Sequence, residues 1–448
     1  MKASTIKYGV LTCTLSLISV ILILLPFHAF LTIWASSIFG HYTAFRLWKE
    51  VLMVLVALGV MYLLLFDSKV RAHTLTRKIT WIIVAYICLQ IIGGVLSWQS
   101  DDVTLKAAAY GVLLNTRFLV FFLLAWAVAI RTDRFEQRWP KLMLWPAVIV
   151  VVFGLLQVFV LPINFLAHFG YGPNTIGPYE TINSNINYLR YMSTLRGANP
   201  LGTYLILPIV ALIVLLVRFP RSWNWTKGLL LAGSLAMLVF SFSRSAWIGA
   251  FLSGITAAVL AIDPRFWRRY RTPLISIVAG LIMICGITTF ALRDNTHFQN
   301  FFFHTQDNSA VATSSNDGHV SAIRDGLQDI QDHPFGTGPG SAGPASVYND
   351  QARISENYYL QIGQETGWLG LGLFVVIVGA VAYLLWTRRQ TTLALSLLAA
   401  LVGISVVNLL SHAWTDDTLS YIWWGLAGLA IGTPVIAKKA RDDEKPVT

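Results

Sequence analysis

The chain has 448 residues, of which 55% are hydrophobic and only 12% are charged, whereas roughly 25% of the residues in a typical soluble domain are charged. Its mean hydropathy is +0.61, and many apolar runs reach about 20 residues, the length that crosses a ~30 Å hydrocarbon core. These values exclude an ordinary soluble fold, and the net charge of +11 is interpreted as membrane topology rather than nucleic-acid binding. The three cysteines lie apart in apolar runs, so neither a disulfide framework nor a zinc site is predicted.

The apolar runs predict an all-α, polytopic membrane protein. The first run is too long for the hydrophobic region of a signal peptide and many further runs follow, so it is interpreted as an uncleaved first helix. We expect a single membrane domain over residues 1–448 with about twelve transmembrane helices. In chain order they are predicted at about 8–34, 47–66, 80–98, 105–130, 142–165, 199–217, 228–243, 245–263, 272–292, 361–386, 391–411 and 418–437.

The distribution of Lys and Arg predicts the orientation of these helices. With a cytoplasmic N-terminus and alternating crossings, 23 of the 33 Lys and Arg residues fall in inner segments and 9 in outer segments. This count assigns Lys49 and Lys106, at the outer ends of the second and fourth predicted helices, to the outer segments, and Arg117 alone falls deep within a span. Because positive charge concentrates on the cytoplasmic side, both termini, including the tail 438–448, are expected in the cytoplasm.

Two long segments are expected on the outer face, at 166–198 and, between the ninth and tenth helices, at 293–360. All inner loops are short, so the protein is expected to work at its outer face. In the second segment, the sequence SAIRDGLQDI at 321–330 places small and apolar residues on one helical face and charged or amide residues on the other. This pattern predicts a short amphipathic helix on the outer surface, ended by Pro334 and the glycines that follow.

Three arginines near the predicted outer helix ends are candidates for binding an anion. Arg244 lies in the turn SFSRSAW, and Arg190 and Arg196 lie in NINYLRYMSTLRGANPLGTYL, just before the sixth helix. Ordinary roles are open for all three, since Arg244 can extend to lipid headgroups and the other two can be simple loop residues. Because the arginine fork binds phosphate oxygens and several tyrosines lie in the same loop, the alternative is an anionic, sugar-like or lipid-like ligand on the outer side.

Other charged residues have mainly structural interpretations. Arg117 is expected to pair with a carboxylate or with carbonyl groups inside the bundle. Arg324 lies on the charged face of the amphipathic helix, where either a solvated role or ligand binding is open. The stretch SHAWTDDTLSY, with His412 and Asp416–Asp417, is expected to be a polar connection, with a metal or proton-relay site as the alternative.

Four stretches in order resemble the O-antigen ligase and polymerase superfamily. They are RYMSTLRGANPLGTYL, SRSAWIGA, RDGLQDIQDHPFGTGPG and ENYYLQIGQETGWLGLGLF, which together cover about residues 190–372. In this resemblance Arg190 takes the family's arginine position and Asn199 its asparagine position. Each stretch alone is a weak match to the family, but four in the same order in a chain with twelve predicted helices are more specific.

The resemblance implies a membrane glycosyltransferase of the bacterial cytoplasmic (inner) membrane with its active site on the extracytoplasmic side. The donor would be a glycan on polyprenyl (undecaprenyl) diphosphate, and the acceptor a sugar hydroxyl of a glycolipid or of another lipid-linked glycan. Membrane lipids are the surrounding partners, and no cofactor, metal or nucleic acid is expected. We interpret the reaction as inverting, and ligase and polymerase stay equally open. The site residues expected are Glu356 as the catalytic base, Arg190, Arg244, Arg196 and Arg324 around the diphosphate, and Asn357, Tyr358 and Asn199 for the acceptor or for support.

The sequence departs from the family at the base, since Glu356 stands where the family has histidine. We expect Ser355 to cap the following helix and Glu356 to lie in its first turn, where the positive helix end favours a carboxylate. A carboxylate is a weaker base than imidazole by roughly 3 kcal/mol. That loss is tolerable if the acceptor hydroxyl gives up its proton late. The other interpretation is that Glu356 only orders the loop, or marks a divergent, polymerase-like or inactive member.

Two other functional classes are considered. A lipid-linked glycan flippase or other twelve-helix transporter predicts charges along both halves of a central path, whereas a transferase predicts them at the outer end only. The third class is a non-catalytic scaffold. The candidate charges gather at the predicted outer end, which favours the transferase.

Overall fold

The computed structural model describes residues 2–132, 135–182, 185–262 and 315–434, together with isolated positions between 272 and 295. The described chain is mostly helical, which agrees with the predicted all-α class. The helices are α1 (Lys2–Leu24), α2 (His28–Phe39), α3 (Tyr42–Arg46), α4 (Trp48–Phe66), α5 (Ser68–Leu75), α6 (Lys78–Gln99), α7 (Leu105–Ala129), α8 (Phe135–Phe159), α9 (Ala198–Arg218), α10 (Trp225–Phe240), α11 (Arg244–Ala261), α12 (Ser315–Asp332), α13 (Tyr358–Thr387), α14 (Thr392–Leu410) and α15 (Asp417–Gly432). Short 3₁₀ turns lie at Leu25–Phe27, Phe165–Phe169, Pro220–Ser222, Gly343–Tyr348 and Ala413–Thr415.

Nine helices in the described ranges are long and apolar enough to cross a membrane. The first, Ser4–Phe39, is α1 and α2 joined through the turn that contains Pro26. The predicted seventh and twelfth spans correspond to α10 and α15, which have 16 residues each. The predicted ninth span, 272–292, lies largely outside the described residues. The total of twelve helices and the orientation of the bundle therefore stay predictions.

Small residues let the central helices pack closely. A Cβ added at Gly403 of α14 would lie 1.9 Å from the carbonyl oxygen of Gly249 in α11. A Cβ added at Gly428 of α15 would lie 2.5 Å from the carbonyl oxygen of Phe122 in α7. Because lipid tails are as apolar as the helices, close packing of this kind replaces the hydrophobic effect as the force that joins them.

The first long predicted outer loop contains the one departure from an all-helical fold in the described chain. Strand β1 (Glu180–Ile182) pairs antiparallel with β2 (Asn185–Arg190), with Glu180 opposite Arg190. The sequence there is rich in Ile, Thr, Tyr and Asn, residues that suit a short hairpin. The hairpin places Arg190 at the end of a strand.

Arg117 is paired inside the bundle, as the sequence predicts. Its guanidinium forms a short ion pair with Asp417 and donates a hydrogen bond of 2.8 Å to the carbonyl oxygen of Thr415. The Nζ atom of Lys49 lies 3.1 Å from Asp417 and 3.0 Å from Glu50. A cation removed from water is tolerated when carboxylates and carbonyls surround it, so this network holds α4, α7 and α15 together.

A glycine-rich segment, the glycine loop (residues 334–340), enters the bundle between α6, α7 and α13. The amide of Gly340 donates to Oε1 of Glu365 at 2.9 Å, and Oε2 of the same carboxylate accepts from Nδ2 of Asn115 at 2.6 Å. Gly340 has a φ of +90°, and an added Cβ there would lie 2.2 Å from the carbonyl oxygen of Ala107. Non-helical backbone inside a membrane protein needs partners of this kind.

The glycine loop also explains an interruption in α13. Gly367 has a φ of +64° and breaks the helix, and the amide of Trp368 donates to the carbonyl oxygen of Pro334 at 3.0 Å. An added Cβ at Gly367 would lie 2.1 Å from that same oxygen. The broken helix and the loop therefore fit together only when Gly367 and Gly340 carry no side chain.

The predicted amphipathic helix is confirmed as α12, which is longer than the predicted stretch and ends at Asp332, just before the glycine loop. Its buried residues Gly326 and Ile330 pack on the start of α13, where Ile330 lies against Gly363. Leu327, expected on the apolar face, is 44% exposed. The helix is thus fixed to α13.

Candidate active site at one end of the bundle

The candidate residues lie at one end of the bundle, which we call the site end. Gly202 near the start of α9 lies against Ala246 near the start of α11. The amide of Tyr358, the first residue of α13, donates to the carbonyl oxygen of Ser411, just after α14. A Cβ added at Gly249, near the start of α11, would lie 2.8 Å from Val407, near the end of α14, so the N-termini of α9, α11 and α13 lie at the same end of the bundle. Helix N-termini carry positive partial charge that favours anions.

Arg190 is held by three neighbours at the site end. Its Nε donates to the carbonyl oxygen of Ser241 at 3.2 Å, and one terminal nitrogen donates to the side-chain oxygen of Asn199. The other terminal nitrogen lies 3.8 Å from Oε2 of Glu180. Because Ser241 lies three residues before Arg244, the bond to its carbonyl places the two arginines near each other. Burial lowers the pKa of Arg190, Glu180 raises it and the charge of Arg244 lowers it.

The segments that carry these two arginines are both strained. Arg244 begins α11 and follows Phe242, whose φ is +51°. Ser193, three residues after Arg190, has a φ of +54°. Left-handed conformations are costly for residues other than glycine and are often found at functional sites. Here the two left-handed residues, Ser193 and Phe242, lie close in sequence to Arg190 and Arg244.

Arg196 connects this pair to the start of α15. Its Nε lies 3.9 Å from Oδ2 of Asp416, and about half of its side chain is exposed. Asp416 caps α15, since its carboxylate accepts from the amides of Thr418 and Leu419. Burial raises the pKa of Asp416, and Arg196 opposes that increase. The predicted polar connection is therefore confirmed for Asp416.

A cavity of about 120 Å³ lies next to Arg196. Its charged lining residues are Arg46, Arg117, Arg196, Asp416 and Asp417. Both signs of charge face it, so it is a mixed polar cavity rather than a simple anion site.

The cap of α13 differs from the prediction. Asn357, not Ser355, is the N-cap, because its side-chain oxygen accepts from the amides of Tyr359 and Leu360. Ser355 instead makes a short hydrogen bond to Gln364. Glu356 consequently precedes the cap and does not lie in the first helical turn.

The expected supporting residues occupy different environments. The oxygen of Asn357 is used by the helix cap, and Tyr358 is fully buried against Phe374. Asn199 supports Arg190 directly. Arg324 is exposed on α12, and no contact with Arg190 is found in the described ranges. These placements favour support for Asn199 and a solvated position for Arg324.

Sequence reasoning missed Glu365, and it named His412 only as part of a polar connection with a metal or proton-relay site as the alternative. His412 directs its Nδ1 at the carbonyl oxygen of Ser355, 3.2 Å away, and so lies beside Glu356. Glu365 holds the glycine loop, as described above. The only sequence signal for Glu365 is a carboxylate within an apolar helix, and no local signal links His412 to a residue 56 positions earlier.

A second cavity, of about 380 Å³, separates α12 from the segment before α13. Oδ2 of Asp329 accepts from Arg353 at 2.8 Å and from Gln364 at 3.0 Å along its wall. Ser355 also lines it, one residue from Glu356. Its volume is within the usual range for small-molecule sites, and its amide, carboxylate and guanidinium groups suit hydroxyl-rich ligands.

The described chain is thus a helical, multi-pass membrane protein with arginines, a carboxylate and an imidazole gathered at one end. Residues 229–375 match the family model described as O-antigen ligase. The match covers about a third of the chain and confirms the resemblance to the O-antigen ligase and polymerase superfamily. Together with the candidate spans it indicates an enzyme of the membrane glycosyltransferase type in a bacterial inner membrane.

A comparison with curated proteins finds no match to this chain. Within the described residues, no group of three His, Cys, Asp or Glu side chains is placed to hold a metal ion.

Proposed function

We propose that this protein transfers a glycan from polyprenyl (undecaprenyl) diphosphate to a sugar hydroxyl on the extracytoplasmic side of the inner membrane. The observation that carries the proposal is the pair Arg190 and Arg244, two partly buried cations. Arg244 begins α11, and Arg190, at the end of β2, donates to the carbonyl oxygen of Ser241 just before that helix. Like charges in this arrangement are stabilised by an anion that both can contact, and a diphosphate presents oxygens to both guanidinium groups.

In the proposed reaction, the acceptor hydroxyl oxygen attacks the anomeric carbon of the donor sugar. The bond from that carbon to the diphosphate oxygen breaks, and its electron pair stays on the diphosphate. Arg190 and Arg244 are proposed to stabilise this growing charge as preorganised donors, so that the arginines supply the positive charge and the reaction is metal-independent. A single displacement inverts the anomeric configuration.

Glu356 is proposed to take part in removing the proton of the acceptor hydroxyl, because it lies at the site end and stands where the family has histidine. The 380 Å³ cavity is proposed to receive the acceptor sugar, since it adjoins Ser355 and is lined by the hydrogen-bonded trio Asp329, Arg353 and Gln364. Ligase and polymerase differ only in the molecule that carries this sugar.

The test uses purified protein with extracted lipid-linked glycan and candidate acceptors. Transfer by the wild type is expected, Arg244→Ala is expected to lose most of it, and Arg244→Lys to recover little, because lysine keeps the charge but not the planar fork. Wild-type rates for Arg244→Lys would contradict the two-oxygen contact. Movement of the donor across vesicles without any transfer would support the flippase instead.

A further inference from the structure

His412 lies beside the segment that carries Glu356. It belongs to the connection between α14 and α15, whereas Glu356 precedes α13, and the two segments meet through the Ser355 carbonyl and His412 Nδ1 at 3.2 Å. We propose that His412 takes the proton of the acceptor hydroxyl at Nε2 and that Glu356 stabilises the imidazolium that forms. This inference rests on the proposed glycosyl transfer and names the proton acceptor for it.

The hydrogen bond of His412 determines which ring nitrogen can accept a proton. A carbonyl oxygen only accepts hydrogen bonds, so Nδ1 must carry the hydrogen that points to Ser355. In neutral imidazole the other nitrogen, Nε2, then has the lone pair. Within the described ranges no hydrogen bond to Nε2 is found. The backbone therefore orients the ring as a base.

The charges that face His412 come from three segments. Burial lowers the pKa of the imidazole most, and Arg196, from the connection between β2 and α9, lowers it further. The hydrogen bond to Ser355 and the charge of Glu356 raise it. Asp416, at the start of α15, lies 3.9 Å from Arg196 and moderates that cation. The net result is a pKa below the usual 6.5, so His412 is neutral and able to accept a proton at neutral pH.

The proton balance of the step is complete. As the bond between acceptor oxygen and anomeric carbon forms, the O–H electron pair stays on oxygen and the proton moves to Nε2. The imidazolium is then next to the Glu356 carboxylate, and it returns its proton to water at the site end. The imidazole that the family supplies from the position of Glu356 would here come from a different segment.

The first test compares His412→Asn with wild type in the transfer assay. Asparagine can keep the donor to the Ser355 carbonyl but has no basic nitrogen, so we expect turnover to fall about 10²–10⁴-fold with donor binding retained. The matched control is His168→Asn, since the exposed His168 also directs Nδ1 at a carbonyl oxygen, that of Phe165, at 3.0 Å. Near wild-type turnover of a folded His412→Asn protein would overturn the inference.

The second test is the pH profile of turnover. A purely structural role of His412 would not link the acid limb of this profile to the charges around the imidazole. Wild-type activity should fall on the acid side, below pH 6.5, as His412 becomes protonated. Glu356→Gln removes a charge that raises the pKa of His412, so the acid limb should move to lower pH. Arg196→Gln removes a charge that lowers it, so the limb should move towards neutrality. Unchanged limbs in both variants would overturn the inference, whatever their maximal rates.

Different results would reject the glycosyl transfer and the role of His412. Absence of transfer by wild-type protein with every lipid-linked donor tested would reject the glycosyltransferase function itself. Transfer by wild type and by His412→Asn at equal rates would leave that function in place and reject only the role of His412.

Discussion

Replacing Glu365 by alanine should release the glycine loop and disable the site without altering any proposed substrate contact. The carboxylate accepts from the Gly340 amide at 2.9 Å and from Asn115 at 2.6 Å, and its side chain is buried. Each buried donor left without an acceptor costs about 1–3 kcal/mol, so Glu365→Ala should destabilise the docked loop by about 2–6 kcal/mol. Opening by that amount raises the exchange rate of the loop amides by roughly 30-fold or more.

The assay is amide hydrogen exchange in detergent micelles, read at Gly340 and at residues of α9. Exchange at Gly340 should accelerate while α9 stays protected, and transfer activity should fall with it. Glu365→Gln is the matched control, because its carbonyl can still accept from Gly340 while its NH₂ group faces that of Asn115, and we expect about half the effect. Wild-type exchange at Gly340 in Glu365→Ala would refute the idea that this carboxylate holds the loop.

Three further predictions follow from other contacts. Gly340→Ala places a Cβ 2.2 Å from the Ala107 carbonyl at a φ of +90°, so it should lower the thermal stability by a few degrees or more, whereas Gly372→Ala, which meets no atom within 4 Å, should not. Burial raises the pKa of Asp67, but hydrogen bonds from Arg131 and Lys7 outweigh it and lower that pKa to about 2. The carboxylate therefore stabilises the fold above pH 3.8, and this stabilisation is lost as the pH falls through about 2. Asp67→Asn should cost on the order of 1–2 kcal/mol at pH 7 and nothing at the acid limit, measured by denaturant unfolding at both pH values. Arg117→Leu should unfold or misinsert the protein because it leaves the Asp417 carboxylate buried with one cation fewer, and expression at wild-type level with normal thermal stability would contradict that.

The helices that span the bundle were predictable because length and hydropathy are local properties of the chain. The prediction at 199–217 matches α9, and that at 391–411 matches α14, within one residue at each end. The pairing of Arg117 was equally accessible, since a cation in an apolar run must find a carboxylate or carbonyl.

The cap of α13 could not be chosen from the sequence alone. Ser355 and Asn357 are both good capping residues, and the sequence offers both. In the structure Asn357 is the cap, and Ser355 donates a hydrogen bond to Gln364. Gln364 also donates to Asp329 of α12, so the surroundings of Ser355 depend on a contact with another helix and not only on local preference.

Long-range contacts account for the other parts of the site that were not foreseen. Glu365 meets Asn115 across 250 residues, and His412 meets Ser355 across 57. No periodic pattern in a single sequence shows which residues far apart in the chain are in contact. The arginines were found because cations at membrane edges are rare.

The docked glycine loop also has a consequence for biogenesis. Gly111 and Gly340, which touch through the backbone of the loop, are 229 positions apart in the sequence, so α6 and α7 leave the ribosome long before their partner exists. An ionisable residue in an inserting helix costs free energy, and Glu365 enters the bilayer as the eighth residue of α13. The cost is recovered only when Asn115 and the loop reach its carboxylate. Insertion of the segment around Glu365 and assembly of the site end are thereby coupled, so a nascent chain that stops before this step holds its arginines in an incomplete enzyme.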